Sequence, residues 1–266
     1  MKVTRKIYAN TSAGQVHARI AGPDGEVTGR PLLCLHPAPS SGLYFETVMP
    51  MLNDGRQVIA PDYPGYGGSD ALDSPPGIED YAGSMLELLD DLGIEQPVDV
   101  LGFHTGCLVG AEMALQRPDA IRRLLLCDVP YFAAEARAGL KKKMAVPMPV
   151  SPELTSIEGA WSFNVSGRVD DVPLERCIAL LAEHLRAGSH DYFGFDAAFS
   201  YPCENKLPAL TVETTVLATQ SGLHDASVAA ADIILGATLV DVTEVTSAVF
   251  EDRAEAICRR INAALA

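Results

Sequence analysis

The sequence predicts an α/β domain built on a mostly parallel central sheet with helices on both faces. Short, wholly apolar runs of strand length recur along the chain, as in Pro31-Leu-Leu-Cys-Leu-His36 and Gln57-Val-Ile-Ala-Pro61. Between them lie longer segments whose apolar residues follow helical spacing. A strand that is apolar on both faces needs helices above and below it, which is the situation of a parallel sheet. Strand and helix alternate in the order that such a sheet requires.

In chain order, Val3–Asn10 and Val16–Ile20 read as two antiparallel strands, and Gly22-Pro23-Asp24-Gly25 has turn chemistry. The buried strand at 31–36 follows, then a short helix over Glu46–Leu52, the strand at 57–61, and a Gly/Pro-rich loop over Asp62–Asp70. Tyr81, Met85, Leu86, Leu88, Leu89 and Leu92 place an amphipathic helix over Glu79–Leu92. Val98–Leu101 is a strand, Cys107–Gln116 an apolar helix closed by Arg117-Pro118, and Ile121–Cys127 the next strand. The alternation breaks from about Tyr131 to Leu207. This stretch holds Lys141-Lys-Lys143, a Pro-rich piece at 147–152 and helical spacing over Leu174–Ala187. Alternation resumes with strands at Thr214–Thr219 and Thr238–Val242, and Arg253–Leu265 is the closing amphipathic helix.

Bulk properties narrow the function classes. The chain has 266 residues, of which 48% are hydrophobic, enough for a sizeable core. A net charge of −15 repels phosphate backbones and anionic lipid, which argues against nucleic acid and membrane surfaces as partners. A small-molecule substrate is the expected partner, and self-association into a homo-oligomer stays open. The six cysteines are scattered, with no CxxC pair and no metal-ligand spacing, so neither a disulfide framework nor a metal site is expected. No nucleotide motif or other cofactor motif is present. The basic N-terminus is not followed by an apolar stretch, and no apolar run reaches the roughly 18 residues that span a bilayer. A cytoplasmic location is expected.

Three segments carry specific motifs. They are Leu33-Cys-Leu-His36-Pro37-Ala38-Pro39-Ser40-Ser41, Ala60-Pro61-Asp62-Tyr63-Pro64-Gly65-Tyr66-Gly67-Gly68-Ser69-Asp70, and Val100-Leu101-Gly102-Phe103-His104-Thr105-Gly106. In this order and strand–loop–helix context they resemble the α/β-hydrolase superfamily. The resemblance implies a core over 1–130 and 208–266, with 131–207 inserted as a helical cap. It places His104 where the family carries its nucleophile, usually serine. It also implies an oxyanion hole from the Ala38 and Thr105 amides. The family's catalytic histidine should fall near Val245–Ala248, but no histidine follows His224, and Ser247 or Thr246 occupies that place. The usual triad therefore cannot form. Asp225 matches the family's acid position, and Asp128 is the alternative that some members use.

A strained strand-to-helix turn needs small neighbours two residues away, and Gly102 and Gly106 supply them. Histidine at its apex can act as a general base near neutral pH, or as a nucleophile. The nearby helix N-terminus favours its neutral form. The alternative is a structural histidine that fills a site no longer reactive. Trp161, Phe163, His224 and His36 are candidates for the pocket, with His36 also suited to bracing the oxyanion loop. The expected function is an enzyme acting on a small apolar ester, lactone or carbon–carbon bond. A cofactor-free lyase or isomerase, or an inactive ligand-binding relative, stands as the alternative.

Overall fold

Eight strands among the described residues form one sheet in the order β1-β2-β4-β3-β5-β6-β7-β8. The computed structural model describes residues 4–23, 27–149 and 151–266. The strands are β1 (Thr4–Thr11), β2 (Gly14–Ala21), β3 (Leu32–Leu35), β4 (Val58–Pro61), β5 (Val98–Phe103), β6 (Ile121–Cys127), β7 (Glu213–Thr219) and β8 (Thr238–Val242). β1 and β2 pair antiparallel, β2 joins β4 antiparallel, and every other pairing is parallel. Val3, Asp24, Gly25 and Val150, which belong to expected strand, turn and Pro-rich segments, lie outside the described residues.

The α-helices are α1 (Met49–Leu52), α2 (Ile78–Asp91), α3 (Thr105–Gln116), α4 (Ala134–Met144), α5 (Glu158–Trp161), α6 (Leu174–Ala187), α7 (Phe193–Ser200), α8 (Cys203–Lys206), α9 (His224–Ile233) and α10 (Ala254–Leu265). The expected helix at 46–52 is shorter, confined to Met49–Leu52, with a turn before it. A 3-10 turn at Gly42–Phe45 is capped by the Ser41 hydroxyl, which accepts from the Leu43 N–H at 3.2 Å. A separate α turn begins at Met49, where Pro50 fits the first turn because it needs no N–H partner there.

Successive strand residues point to opposite faces, so one apolar run feeds two cores. Leu33, Leu35, Val100, Leu124, Leu126 and Val216 join the core under α2 and α3. Leu32, Cys34, Leu101, Phe103, Leu125, Cys127 and Leu217 join the other, beneath Ile257, Ile261 and Leu265 of α10. This double burial is why these strands read as continuous apolar runs rather than alternating ones.

Strand order reverses at β3, whose neighbours are β4 on one side and β5 on the other. At such a point the loops leaving adjacent strands diverge, and a crevice opens beyond their carboxyl ends. His36 to Ala38 follow β3 and His104 follows β5, so both loops border that crevice. Between β6 and β7 the chain is helical, from α4 to α8, and polar ties hold it against the sheet. Tyr66 Oη donates to the Asp191 carbonyl (3.0 Å) and accepts from the Gly194 N–H (2.7 Å). Arg176 donates to Glu251 (2.8 Å) and to the Leu43 carbonyl (2.7 Å). Tyr201 and Lys206 donate to the buried Glu112 carboxylate at 2.8 and 2.9 Å.

Candidate active site

His104 sits alone between β5 and α3 with φ 50° and ψ −115°, a region that side chains bearing a Cβ disfavour. Close backbone packing imposes the turn. A Cβ on Gly102 would run into the Gly106 carbonyl, and one on Gly106 would run into the Leu35 carbonyl. β3, β5 and α3 thus meet backbone to backbone. The His104 N–H donates to the Cys127 carbonyl at 3.2 Å, and the Cys107 N–H donates back to the His104 carbonyl at 2.9 Å. The Cys107 thiol donates toward the Gly102 and Cys127 carbonyls at 3.3 and 3.1 Å, so this buried cysteine serves the turn.

The His104 side chain is half-buried, and its ring stacks on Phe103 at 4.0 Å. Among the described residues neither ring nitrogen has a hydrogen-bond partner, and neither is sealed from solvent. The ring borders three adjoining cavities of about 170, 50 and 250 Å³. Tyr44, Asp128, Arg168, Asp171, Ser221 and Ser247 line the first. Phe132, Leu140, Met144, Phe195 and Phe199 make the third strongly apolar. Burial pushes the His104 imidazole down to about 4, the Asp128 carboxylate opposing this and the Arg168 guanidinium adding to it. It is therefore a neutral ring at physiological pH. A larger hollow of about 540 Å³ lies elsewhere, between the β1–β2 turn and α2. Asp73, Glu79, Asp80 and Glu87 line it beside prolines and serines, with no histidine or cysteine.

The structure brings Asp128 to His104 and keeps Asp225 away. Asp128 follows β6 with φ 54°, is fully buried, and lines the same cavity as His104. Its carboxylate accepts from the Thr219 N–H (2.9 Å) and hydroxyl (2.7 Å), so it acts on His104 through its field and not through a hydrogen bond. Asp225 is a correction to the sequence expectation. It lies in the first turn of α9 with its side chain fully exposed and pairs with His224 at 3.2 Å. The helix begins immediately at His224, which turns both side chains outward from the crevice. His224 is likewise no pocket residue; it reaches Asp225 and Asp241, and those carboxylates, Asp225 first, raise its pKa.

Ala38 and Thr105 do meet. The Ala38 N–H points to the Thr105 hydroxyl at 3.4 Å, and both residues border the apolar chamber. Phe163 lines two of the three cavities. Trp161 lines none of them and is exposed, because its neighbour Ala160 occupies the inward position of that turn. His36 is also not a pocket residue. It is fully buried, its Nδ1 lying 2.9 Å from the Pro37 carbonyl and its Nε2 accepting from the Tyr63 N–H at 3.1 Å. It ties the loop after β3 to the loop after β4.

At the position where the family's partner histidine was expected, Ser247 donates to Asp171 at 2.7 Å. Sequence reading missed Tyr44, Arg168, Asp171 and Ser221. Arg168 and Asp171 fall in a charged, Gly-containing stretch, and only the fold of the β6–β7 segment brings them to the cavity that His104 borders. Among the described residues no three or more His, Cys, Asp or Glu side chains gather as a metal site. No described helix is long and apolar enough to cross a membrane.

Comparison with known proteins agrees with this architecture. Haloalkane dehalogenase of Mycolicibacterium paratuberculosis is 31% identical over 111 residues, 40% of this chain and 36% of that protein. Cis-3-alkyl-4-alkyloxetan-2-one decarboxylase of Shewanella oneidensis is 27% identical over 110 residues, 40% of this chain and 35% of that protein. The match thus spans well under half the length of these curated relatives. A crystal structure of a hydrolase from Pseudomonas aeruginosa superposes with a TM-score of 0.79 at 20% identity, over 98% of both chains. The family model described as alpha/beta hydrolase fold matches residues 30–174, more than half of the sequence. With β3, β4, β5 and β6 all inside that match, the chain belongs to the α/β-hydrolase fold family.

Proposed function

We propose that this chain is an enzyme in which the His104 imidazole, not a serine hydroxyl, does the chemistry, on a small and mainly apolar ester, lactone or carbon–carbon bond substrate. The observation that carries this reading is the pair of unpartnered His104 ring nitrogens facing three adjoining cavities. A purely structural histidine in a folded interior is hydrogen-bonded, as His36 is. Residues 131–207 act as the cap, contributing Phe132, Leu140, Met144, Phe163, Phe195 and Phe199 to the chamber.

The neutral ring accepts a proton from a water attacking the substrate carbonyl. The resulting imidazolium is stabilised by the Asp128 carboxylate, which Thr219 orients through two donors. Charge developing on the carbonyl oxygen falls to the Ala38 amide and the start of α3, after the Thr105 hydroxyl gives up its contact with Ala38. A lone base without a proton-relaying partner also suits a cofactor-free lyase or isomerase, and the relative from Shewanella oneidensis is a decarboxylase.

The test is turnover of an ester, lactone and diketone panel by wild type and His104→Ala. Loss of a positioned base lowers kcat/KM by about 10²-fold or more. Turnover that survives unchanged in His104→Ala refutes the role assigned to it, and no turnover on any substrate with wild type favours a ligand-binding role.

A further inference from the structure

We propose that Arg168 anchors a carboxylate carried by the substrate, so that the pocket takes an amphipathic acid: carboxylate at Arg168, reacting bond at His104, apolar tail in the chamber lined by Phe132, Phe195 and Phe199. This deepens the preceding reading and rests on it for the location of the substrate site.

The chain has 20 basic and 35 acidic residues, and its other inward-facing arginines have carboxylate partners. Arg19 pairs with Asp62, Arg122 with Asp99, Arg137 with Glu204 and Arg176 with Glu251. Among the described residues Arg168 pairs with no carboxylate. Its guanidinium lies 5.7 Å from the Tyr44 ring centre and 5.4 Å from that of Phe163. Nε donates to the Phe163 carbonyl at 3.3 Å and Nη1 to the Tyr44 hydroxyl at 3.5 Å. These contacts fix the plane of the group and leave Nη2 uncommitted. It borders two of the cavities that His104 borders.

The carboxylates that share the cavity with Arg168 are already engaged. Asp128 accepts both Thr219 donors, and Asp171 accepts from Ser247. A held, planar guanidinium without a counter-ion matches a carboxylate edge-on, and the aromatic walls weaken competition from water. The remaining walls set the rest of the ligand. The chamber on the far side of His104 offers about 250 Å³ among apolar side chains, room for a small ring or short alkyl group. Of the charged groups facing His104, Arg168 disfavours its imidazolium and Asp128 favours it, with Asp171 in the same wall. A carboxylate docked on Arg168 neutralises the opposing cation just where the base must accept its proton.

The probes are 4-phenylbutyrate and its uncharged isostere 4-phenylbutyramide, followed by calorimetry and by the His104 ring resonance, assigned through its loss in His104→Ala. Both ligands are expected to shift that resonance, with the acid binding at least about tenfold more tightly than the amide. Arg168→Gln is expected to abolish the preference while both ligands still shift the His104 resonance, which also shows that the pocket has folded. Arg168→Lys should retain part of it. If both ligands shift His104 but bind wild type equally, or the preference survives in Arg168→Gln, the Arg168 assignment is overturned while the site reading stands. If neither ligand shifts the His104 resonance, the site reading fails and the Arg168 proposal falls with it.

Discussion

His36 follows β3 and His104 follows β5, on adjacent parallel strands, and burial pushes both imidazoles down to about 4. The resemblance ends there. His36 is fully enclosed and has both nitrogens engaged, one with the Pro37 carbonyl and the other with the Tyr63 N–H. His104 has neither engaged among the described residues and borders several cavities. A depressed pKa therefore does not by itself mark reactive chemistry. It reports desolvation, which a brace and a base can share. What separates them is whether the ring's hydrogen-bonding capacity is already satisfied.

The largest expected effect that sharpens this contrast is on stability. Removing the ring in His36→Ala strands the Pro37 carbonyl and Tyr63 N–H and leaves a buried void, costing about 3 kcal/mol. His104→Ala strands no partner and should change stability by less than about 1 kcal/mol. Denaturant midpoints of the two variants check this, and equal losses would dissolve the distinction.

The pH dependence of stability follows from the same pair. Each folded pKa lies below the ordinary histidine value of 6.5, so the unfolded chain takes up protons first as pH falls. The stability due to the neutral rings is whole above about pH 6.5 and declines as pH falls toward about 4. For the enclosed His36 this amounts to something on the order of 3 kcal/mol, and less for His104, whose ring reaches solvent. His104→Ala should therefore flatten the acid limb of a stability–pH curve only slightly. A flattening as large as the whole limb would mean that His104 is sealed like His36.

The acids give the smaller effects. Asp128→Asn keeps an oxygen for Thr219 but removes the charge that favours the His104 imidazolium, so turnover should fall about tenfold with a stability loss of about 1 kcal/mol. Asp225→Asn changes a fully exposed side chain and should leave turnover unaltered and stability within about 0.5 kcal/mol. A turnover loss in Asp225→Asn would restore it to the site.

Most of the sheet was readable because strands buried on both faces leave apolar runs that little else produces, and Ile121–Cys127 matches the expected bounds. The mostly exposed edge strand Thr238–Val242 also matches, from the resumed strand–helix alternation. His104, Asp128, Ala38 and Thr105 were readable because each directly follows a strand or is fixed to one by motif spacing. Side chains whose position depends on how the helical segment folds back were not. Arg168 and Asp171 become pocket residues only when that segment lies over the carboxyl ends of the strands, and local sequence does not encode that approach. Asp225 was misplaced for the converse reason. Its spacing from β7 suits a site, but α9 starts one residue earlier and turns it outward.

Carbethoxylation of the folded protein at neutral pH, with peptide mass mapping of each histidine, most directly tests whether His104 presents a free, neutral imidazole to the pocket. Diethylpyrocarbonate requires an unprotonated, accessible ring nitrogen. The account predicts an adduct on His104, formed in step with loss of turnover and slowed by 4-phenylbutyrate, while His36 stays unmodified until the chain unfolds. A His104 as inert as His36 would contradict it.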